Sequence, residues 1–185
     1  MSDVNEPRYE TSALPYRIAV LCYLWDKSPE GDDNLLMLHR AKPPNDDMYS
    51  PIGGKVEISV GESPHQCAVR EIEEEAGLAF PPDQVRLMGV VAETAYQDEM
   101  HWLLFLFEVR RSVSPDEIDR VEFEEGRLEW IPSEKLEEFN IPRTDREIIW
   151  PLVKSHRGDG FFMVDVDCRD GRMDATMIED RPAKP

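Results

Sequence analysis

Residues 62–78 read ESPHQCAVREIEEEAGL, and the rest of the chain can be ordered around them. Ser63 suits a helix N-cap, Pro64 the first helical position and Gln66 the third, which closes a capping box. Gly77 supplies the stop. The spacing therefore predicts a helix over Pro64–Ala76. At 100° per residue Ala68, Val69, Ile72 and Ala76 share an arc that can pack on a sheet. Glu71, Glu74 and Glu75, related as i, i+3 and i+4, share the neighbouring arc. Glu62 lies just ahead of the helix, within reach of the same region. Like charges at this spacing destabilise a helix by roughly 0.2–0.5 kcal/mol per pair. The helix dipole disfavours anions in the last turn by about 0.3–1 kcal/mol each. Arg70 alone within the helix offers a positive charge, and it cannot neutralise all of them. A plain solvated face on an acidic protein is one reading, and it suits Glu73, which points away from the cluster. A divalent cation among the carboxylates is the other; ligands that are all oxygen favour magnesium, manganese or calcium over zinc.

The residues around the helix decide between the two. Arg70-Glu71-Ile72-Glu73-Glu74-Glu75-Ala76-Gly77-Leu78 matches R-E-U-x-E-E-x-G-U (U aliphatic) at every specified position. Seven residues separate Glu62 from Arg70, and upstream stand Gly53-Gly54-Lys55-Val56-Glu57. Together these residues resemble the Nudix box. One departure stands out. The box has five residues between its glycine and its first glutamate, whereas seven separate Gly54 from Glu62. Two extra residues therefore fall in Ile58–Gly61, in the loop before the helix.

What the resemblance implies is specific. The fold would be the Nudix-type α/β/α sandwich with a mixed sheet, with the box as a loop–helix–loop. Glu74 and Glu75 would bind Mg2+ or Mn2+, with Glu71 assisting or acting as base, and Glu62 and the Gly53 carbonyl would add oxygen ligands. Arg70 would orient the carboxylates. A further glutamate from a loop ahead of the last strand would be Glu124 or Glu125. The activity would be Mg2+-dependent hydrolysis of a diphosphate linkage in a small nucleotide-like substrate, leaning to a MutT-like nucleoside triphosphate pyrophosphohydrolase, oxidised nucleotides included. A catalytically idle nucleotide sensor would be marked by loss of the box carboxylates, which are all here. A plain acidic metal-binding protein would leave Gly53-Gly54-Lys55 and Arg70 unexplained.

Other residues are weighed against blander roles. Lys55 and Arg40, the latter in the basic patch His39-Arg40-Ala41-Lys42, are candidates for substrate phosphate. Tyr49, Tyr96 and Trp102 can stack on a base or fill a core. His101 and Cys67 read as structural.

Working outward, Arg17–Trp25 and Leu35–His39 are strand candidates on either side of the turn-rich Ser28–Asn34. Lys42–Met48 is a proline-bearing loop. Val85–Tyr96 and His101–Arg110 read as a hairpin turning at Gln97-Asp98-Glu99. Arg111–Glu124 reads as an acidic loop, Leu128–Ile131 as a strand and Ser133–Phe139 as a short helix. Thr144-Asp145-Arg146-Glu147 is a second capping box, opening a helix that Pro151 should kink or end. Phe161–Ile178 looks like a hairpin turning at Asp170-Gly171. The expected organisation is a tail over 1–15, the Nudix domain over 16–157, and a C-terminal hairpin over 158–185 packed on it. That hairpin could also pair with a second copy in a homodimer.

Bulk composition is consistent with this. The 185 residues suit one domain, and 41% of them are hydrophobic. A net charge of -18 repels duplex nucleic acid and anionic membranes, so any phosphate substrate must be small and arrive with cations. Cys22, Cys67 and Cys168 lack CxxC spacing, which suits a reducing compartment. No apolar run reaches the ~20 residues of a membrane span and the first fifteen residues show no signal-peptide core; the expected location is the cytoplasm.

Overall fold

The structure, a computed structural model, describes residues 14–27, 33–42, 45–119 and 121–184. The expected tail lies outside the described residues up to position 13, as does most of the Ser28–Asn34 turn.

The described residues form two five-stranded sheets. The first has the order β1 (Tyr16–Tyr23), β6 (Met100–Val109), β5 (Val85–Tyr96), β9 (Phe161–Asp167), β10 (Asp174–Arg181). It is mixed. β1 runs parallel to β6 and β5 parallel to β9, while the β5–β6 and β9–β10 pairs are antiparallel. The second sheet has the order β2 (Trp25–Lys27), β3 (Asp33–Arg40), β8 (Gly126–Pro132), β7 (Glu122–Phe123), with β4 (Tyr49–Pro51) also pairing β3.

Two helices and the period-2 alternation of strands explain the layers. Along β1, Ala19 and Tyr23 look into one core with Trp150 and Val153 of α2 (Trp150–His156). Val20 and Cys22 look into the other, against Cys67, Ala68, Ile72 and Ala76 of α1 (Pro64–Ala76). β3 alternates in the same way, Leu35 and Met37 into the first core, Leu36 and Leu38 into the second. Each face of the first sheet is thus sealed by a helix, as the α/β/α expectation requires.

The Val85–Tyr96 hairpin and the helix over Pro64–Ala76 fall where the sequence puts them. The C-terminal hairpin turns at Arg169–Gly171, and its first strand extends the first sheet beside β5. Three expectations need correction. The single strand Arg17–Trp25 is split at the fully buried Leu24, where the chain crosses from the first sheet to the second. A continuous apolar run carries no periodicity to mark such a crossing. Arg111–Glu124 is not wholly loop, since Glu122–Phe123 pairs with β8. The second capping box does not form. Thr144 has helical backbone angles and no capping bond, and a π-turn, Asp145–Ile149, precedes α2. Pro151 does not end the helix; residues 143–156 are helical throughout, and the regular i→i+4 pattern gives way to the π-turn directly ahead of Pro151, whose missing N–H interrupts it.

Candidate active site

α1 is fastened at both ends as its sequence dictates. Gln66 N–H donates to Ser63 Oγ at 3.2 Å, Ser63 N–H donates to Gln66 Oε1 at 2.9 Å, and Gly77 closes the helix in the left-handed region. The glycine pair ahead of it is stitched to β1, with Val20 N–H donating to the Gly54 carbonyl at 2.9 Å. These two fastenings bring the glycine loop and the acidic arc face to face.

Glu75 is only 5% exposed, and its Oε2 accepts the Gly53 N–H at 3.0 Å. Burial drives its carboxyl up to about 8; Glu71 and Glu125 push the same way, and the Gly53 bond and Arg40 pull against them. Glu71 lies against Gly54 and is also raised by burial, opposed by Arg70. Arg70 is the hub of the cluster. Its Nε and Nη2 grip both oxygens of Glu62 at 2.8 and 3.1 Å, and Nη1 donates to Glu71 at 2.7 Å and Glu74 at 3.0 Å. These bonds hold the Arg70 guanidinium well above its ordinary pKa and lower that of Glu62.

The extra residues before the helix do not displace Glu62. They form a 3-10 turn, Ile58–Val60, that bulges outward with Ile58 and Val60 more than 70% exposed. Both Glu62 oxygens nonetheless face Arg70, and Oε2 also accepts the Glu57 N–H. Glu74 is the outermost of the helix acids, its side chain 59% exposed beyond Arg70. Cys67 packs under the cluster, its thiol pushed up to about 12 by burial.

A cavity of about 680 Å³ runs from this cluster past β1. Gly53, Gly54, Lys55, Arg40, Glu71, Glu124 and Glu125 line one part of it. The structure separates the last two glutamates. Glu124 is exposed and pairs with Lys42, whereas Glu125 acts electrostatically on both Glu71 and Glu75. Tyr96 and Trp102 line the cavity too. Tyr49 does not; it stacks on His39 and donates to Glu129 at 3.2 Å. His101 accepts the Ala95 N–H at 3.1 Å, a structural role.

Sequence reading missed the acids at the other part of the cavity. Glu93, 4% exposed on β5, and Asp145, on the π-turn, both line it. Burial pushes each up to about 7. Asp145 raises Glu93 further, and a hydrogen bond from Thr144 lowers it. Thr144 itself lies within the helical run, which starts at Arg143, so it does not stand at a cap position. A glutamate inside the apolar run Val90–Tyr96 was the available signal.

Raised carboxyls fix a sign. A carboxylate whose folded pKa lies above its unfolded value stabilises the fold least once it is ionised, so stability falls as pH climbs from about 4.5 through 7. Replacing Glu93 by Gln removes that titration. The expected result is a variant matching the wild type near pH 4 and exceeding it at pH 8 by on the order of 1–3 kcal/mol. Chemical denaturation at the two pH values checks this, and an equal difference at both would contradict it.

The family model for the NUDIX domain matches residues 15–151. The chain belongs to the Nudix family. A Mycobacterium tuberculosis protein provisionally named 8-oxo-dGTP diphosphatase 3 is 38% identical over 79 residues, covering 40% of this chain and 34% of that one. This chain thus matches about a third of the length of that curated relative. Among solved Nudix structures, the MutT protein of Bacillus halodurans superposes with a TM-score of 0.64 at 20% identity, over 88% of this chain and 97% of that one. The NUDIX domain of Shewanella oneidensis NrtR, solved with ADP ribose, gives 0.63 at 13% identity over 83% and 97%. NrtR has also been solved with a 27mer DNA, where the match is 0.60 at 14% identity over 74% and 60%. Among the described residues of the Nudix chain, no helix is long and apolar enough to cross a membrane.

Proposed function

We propose that this Nudix chain is a cytoplasmic, magnesium-dependent pyrophosphohydrolase that splits a diphosphate linkage in a nucleoside triphosphate, with an oxidised guanine nucleotide heading the candidates. The observation that carries the reading is the pairing of Glu75 with the N–H of Gly53, a residue that lines the cavity together with Glu71, Lys55 and Arg40. The 8-oxo-dGTP name of the tuberculosis relative supports the substrate.

A hard cation fits the residues present. Glu75 and Glu71 are both raised by burial and by carboxylate neighbours, a state that a dication relieves. Among the described residues no three His, Cys, Asp or Glu side chains are gathered into a ready cage. Magnesium suits such an open site, because it keeps several waters and takes one or two carboxylates together with substrate phosphates. Glu75, Glu71 and the Gly53 carbonyl would hold it. When bound, it supplies charge neutralisation of the diphosphate and a more acidic water.

The chain's own residues do the remainder. Arg40 and Lys55 receive phosphate oxygens. Water attacks one phosphorus, the bridging P–O bond breaks toward the departing phosphate, and Glu125 accepts the water proton. Arg70 positions Glu71 and Glu74, and Glu62 fixes Arg70, a supporting role rather than ligation because its oxygens are taken. The test is a nucleotide panel incubated with Mg2+ or Mn2+, with products identified by mass. A nucleoside monophosphate and pyrophosphate from a triphosphate are expected; no cleavage of any diphosphate-bearing compound with either ion overturns the reading.

A further inference from the structure

The last strand, β10, takes no part in the chemistry and adds no buried residue to the core. All eight of its residues are exposed, Met177 and Ile178 in its middle at 42% and 53%. One side of β10 pairs with β9, and the other has no strand partner among the described residues. The opposite border of the sheet, β1, is covered, because Val20 and Cys22 donate to the Gly54 and Ile52 carbonyls and Val56 donates to Ile18. An open edge offers a row of N–H and C=O groups to a strand of matching sequence. This edge is also held in place. Asp180 Oδ1 lies 2.9 Å from Nε2 of the buried His156, Arg181 stands over the Phe161 ring, and the Ala183 N–H donates to the Ser155 carbonyl at 3.1 Å.

The strand matches itself. Against β9, Asp174 stands opposite Asp167 and Met177 opposite Val164; the register then skips Ile178 and resumes with Glu179 opposite Met163 and Arg181 opposite Phe161. Ile178 is therefore a bulge. In a regular strand Asp174 and Arg181, an odd number of positions apart, would point to opposite faces. The bulge brings both to the face of Asp167 and Phe161, which share one side of β9. An antiparallel copy turned about a two-fold axis at Met177 then sets Asp174 opposite the partner's Arg181 at both ends of the ribbon. Ala175 meets the partner's Asp180 and Thr176 the partner's Glu179, so no like charges face each other. Met177 meets its own counterpart, with the two Ile178 side chains beside it.

Neighbouring registers lack this match. Sliding the copy by two residues one way puts Asp174 opposite the partner's Glu179; sliding it the other way puts Glu179 opposite its own counterpart. Like charges directly across a ribbon are destabilising. We infer that β10 is a self-recognition edge, which pairs antiparallel with β10 of a second copy of this chain and joins the two first sheets into one. Such a contact is isologous, so it closes at two copies and leaves no open strand to recruit a third. A bulge and charged side chains ordinarily blunt an edge against foreign strands. Here the same features select one partner, the strand's own sequence.

Sedimentation equilibrium of the full chain tests this at about 0.15 M salt, where the long-range repulsion between two copies of charge -18 is screened beyond about 8 Å. The wild type should show a concentration-dependent dimer. Asp174→Lys and Arg181→Glu each turn both end pairs from attraction to repulsion, and each should weaken dimerisation about fivefold or more. An equimolar mixture of the two variants restores opposite charges at both ends, the new lysine facing the new glutamate and Arg181 facing Asp174. The mixture should dimerise about as tightly as the wild type. Mixing cannot repair a fold damaged within one chain, so this arm separates pairing from a local structural effect, and Asp174→Lys carries the test if Arg181→Glu fails to fold. A wild type that stays monomeric up to about 1 mM overturns the proposal. So does a dimer that Asp174→Lys leaves intact, which would place the interface elsewhere, or a mixture of folded variants no tighter than either alone.

Discussion

Glu75→Gln should reduce turnover by more than about a hundredfold while leaving the protein folded, and at alkaline pH more stable than the wild type. Both halves come from the same burial. In the absence of a cation the carboxyl sits at about 8, so the wild-type fold loses stability as pH rises from about 4.5 past 8. Each unit of raised pKa is worth about 1.4 kcal/mol at full ionisation. The amide has no charge to desolvate and its oxygen can still accept the Gly53 N–H. Loss of a group that merely supports a metal ligand costs 10–100-fold, and loss of a ligand itself should exceed that. The measurement is steady-state turnover with Mg2+ beside unfolding midpoints at pH 5 and 9 in chelator. Added Mg2+ should raise the wild-type midpoint and leave that of the variant nearly unmoved. A variant that turns over normally removes Glu75 from the chemistry; one that is inactive but destabilised at both pH values makes it a structural residue.

How much of this was readable in advance depended on where the constraint resides. α1 was legible to the residue because capping, periodicity and the stop act locally, and all three agreed. The acidic arc was legible because it breaks local rules in one place. The division of labour inside it was not. Glu62, Glu71, Glu74 and Glu75 look alike in sequence, yet the fold gives Glu62 to Arg70, turns Glu74 outward and buries Glu75. Those differences come from the glycine loop pressing on one side of the helix, a contact across 22 positions in the Glu75–Gly53 case. Glu124 and Glu125 could not be told apart for a similar reason, since Lys42, far away in the chain, takes the first. Thr144 was misread because its local pattern matches a cap while the helix starts ahead of it, at Arg143, and takes Thr144 into its first turn.

The two adjacent glycines should separate stability from activity. At Gly53 the backbone has φ of +147°, and an added Cβ would stand 2.1 Å from the Val20 carbonyl oxygen and 2.9 Å from its carbon. Val20 is a buried residue in the middle of β1, paired in register with Phe105, so the obstacle is sheet backbone that cannot yield. Gly53→Ala should therefore cost about 3–5 kcal/mol and pull the N–H away from Glu75. At Gly54 the nearest atoms to an added Cβ are the Glu71 carboxyl, with Oε1 at 2.2 Å. That is the end of a flexible side chain, but it is also the carboxyl that Arg70 holds at 2.7 Å. Gly54→Ala should leave the unfolding midpoint within about 1 kcal/mol of wild type, because a rotated carboxyl relieves the clash. Turnover should fall at least about tenfold, because the rotated carboxyl no longer faces the cavity. Urea unfolding and turnover measured on both variants check the contrast. Equal stability losses would show that the Val20 contact is not the constraint, and full activity in Gly54→Ala would place Glu71 outside the reaction.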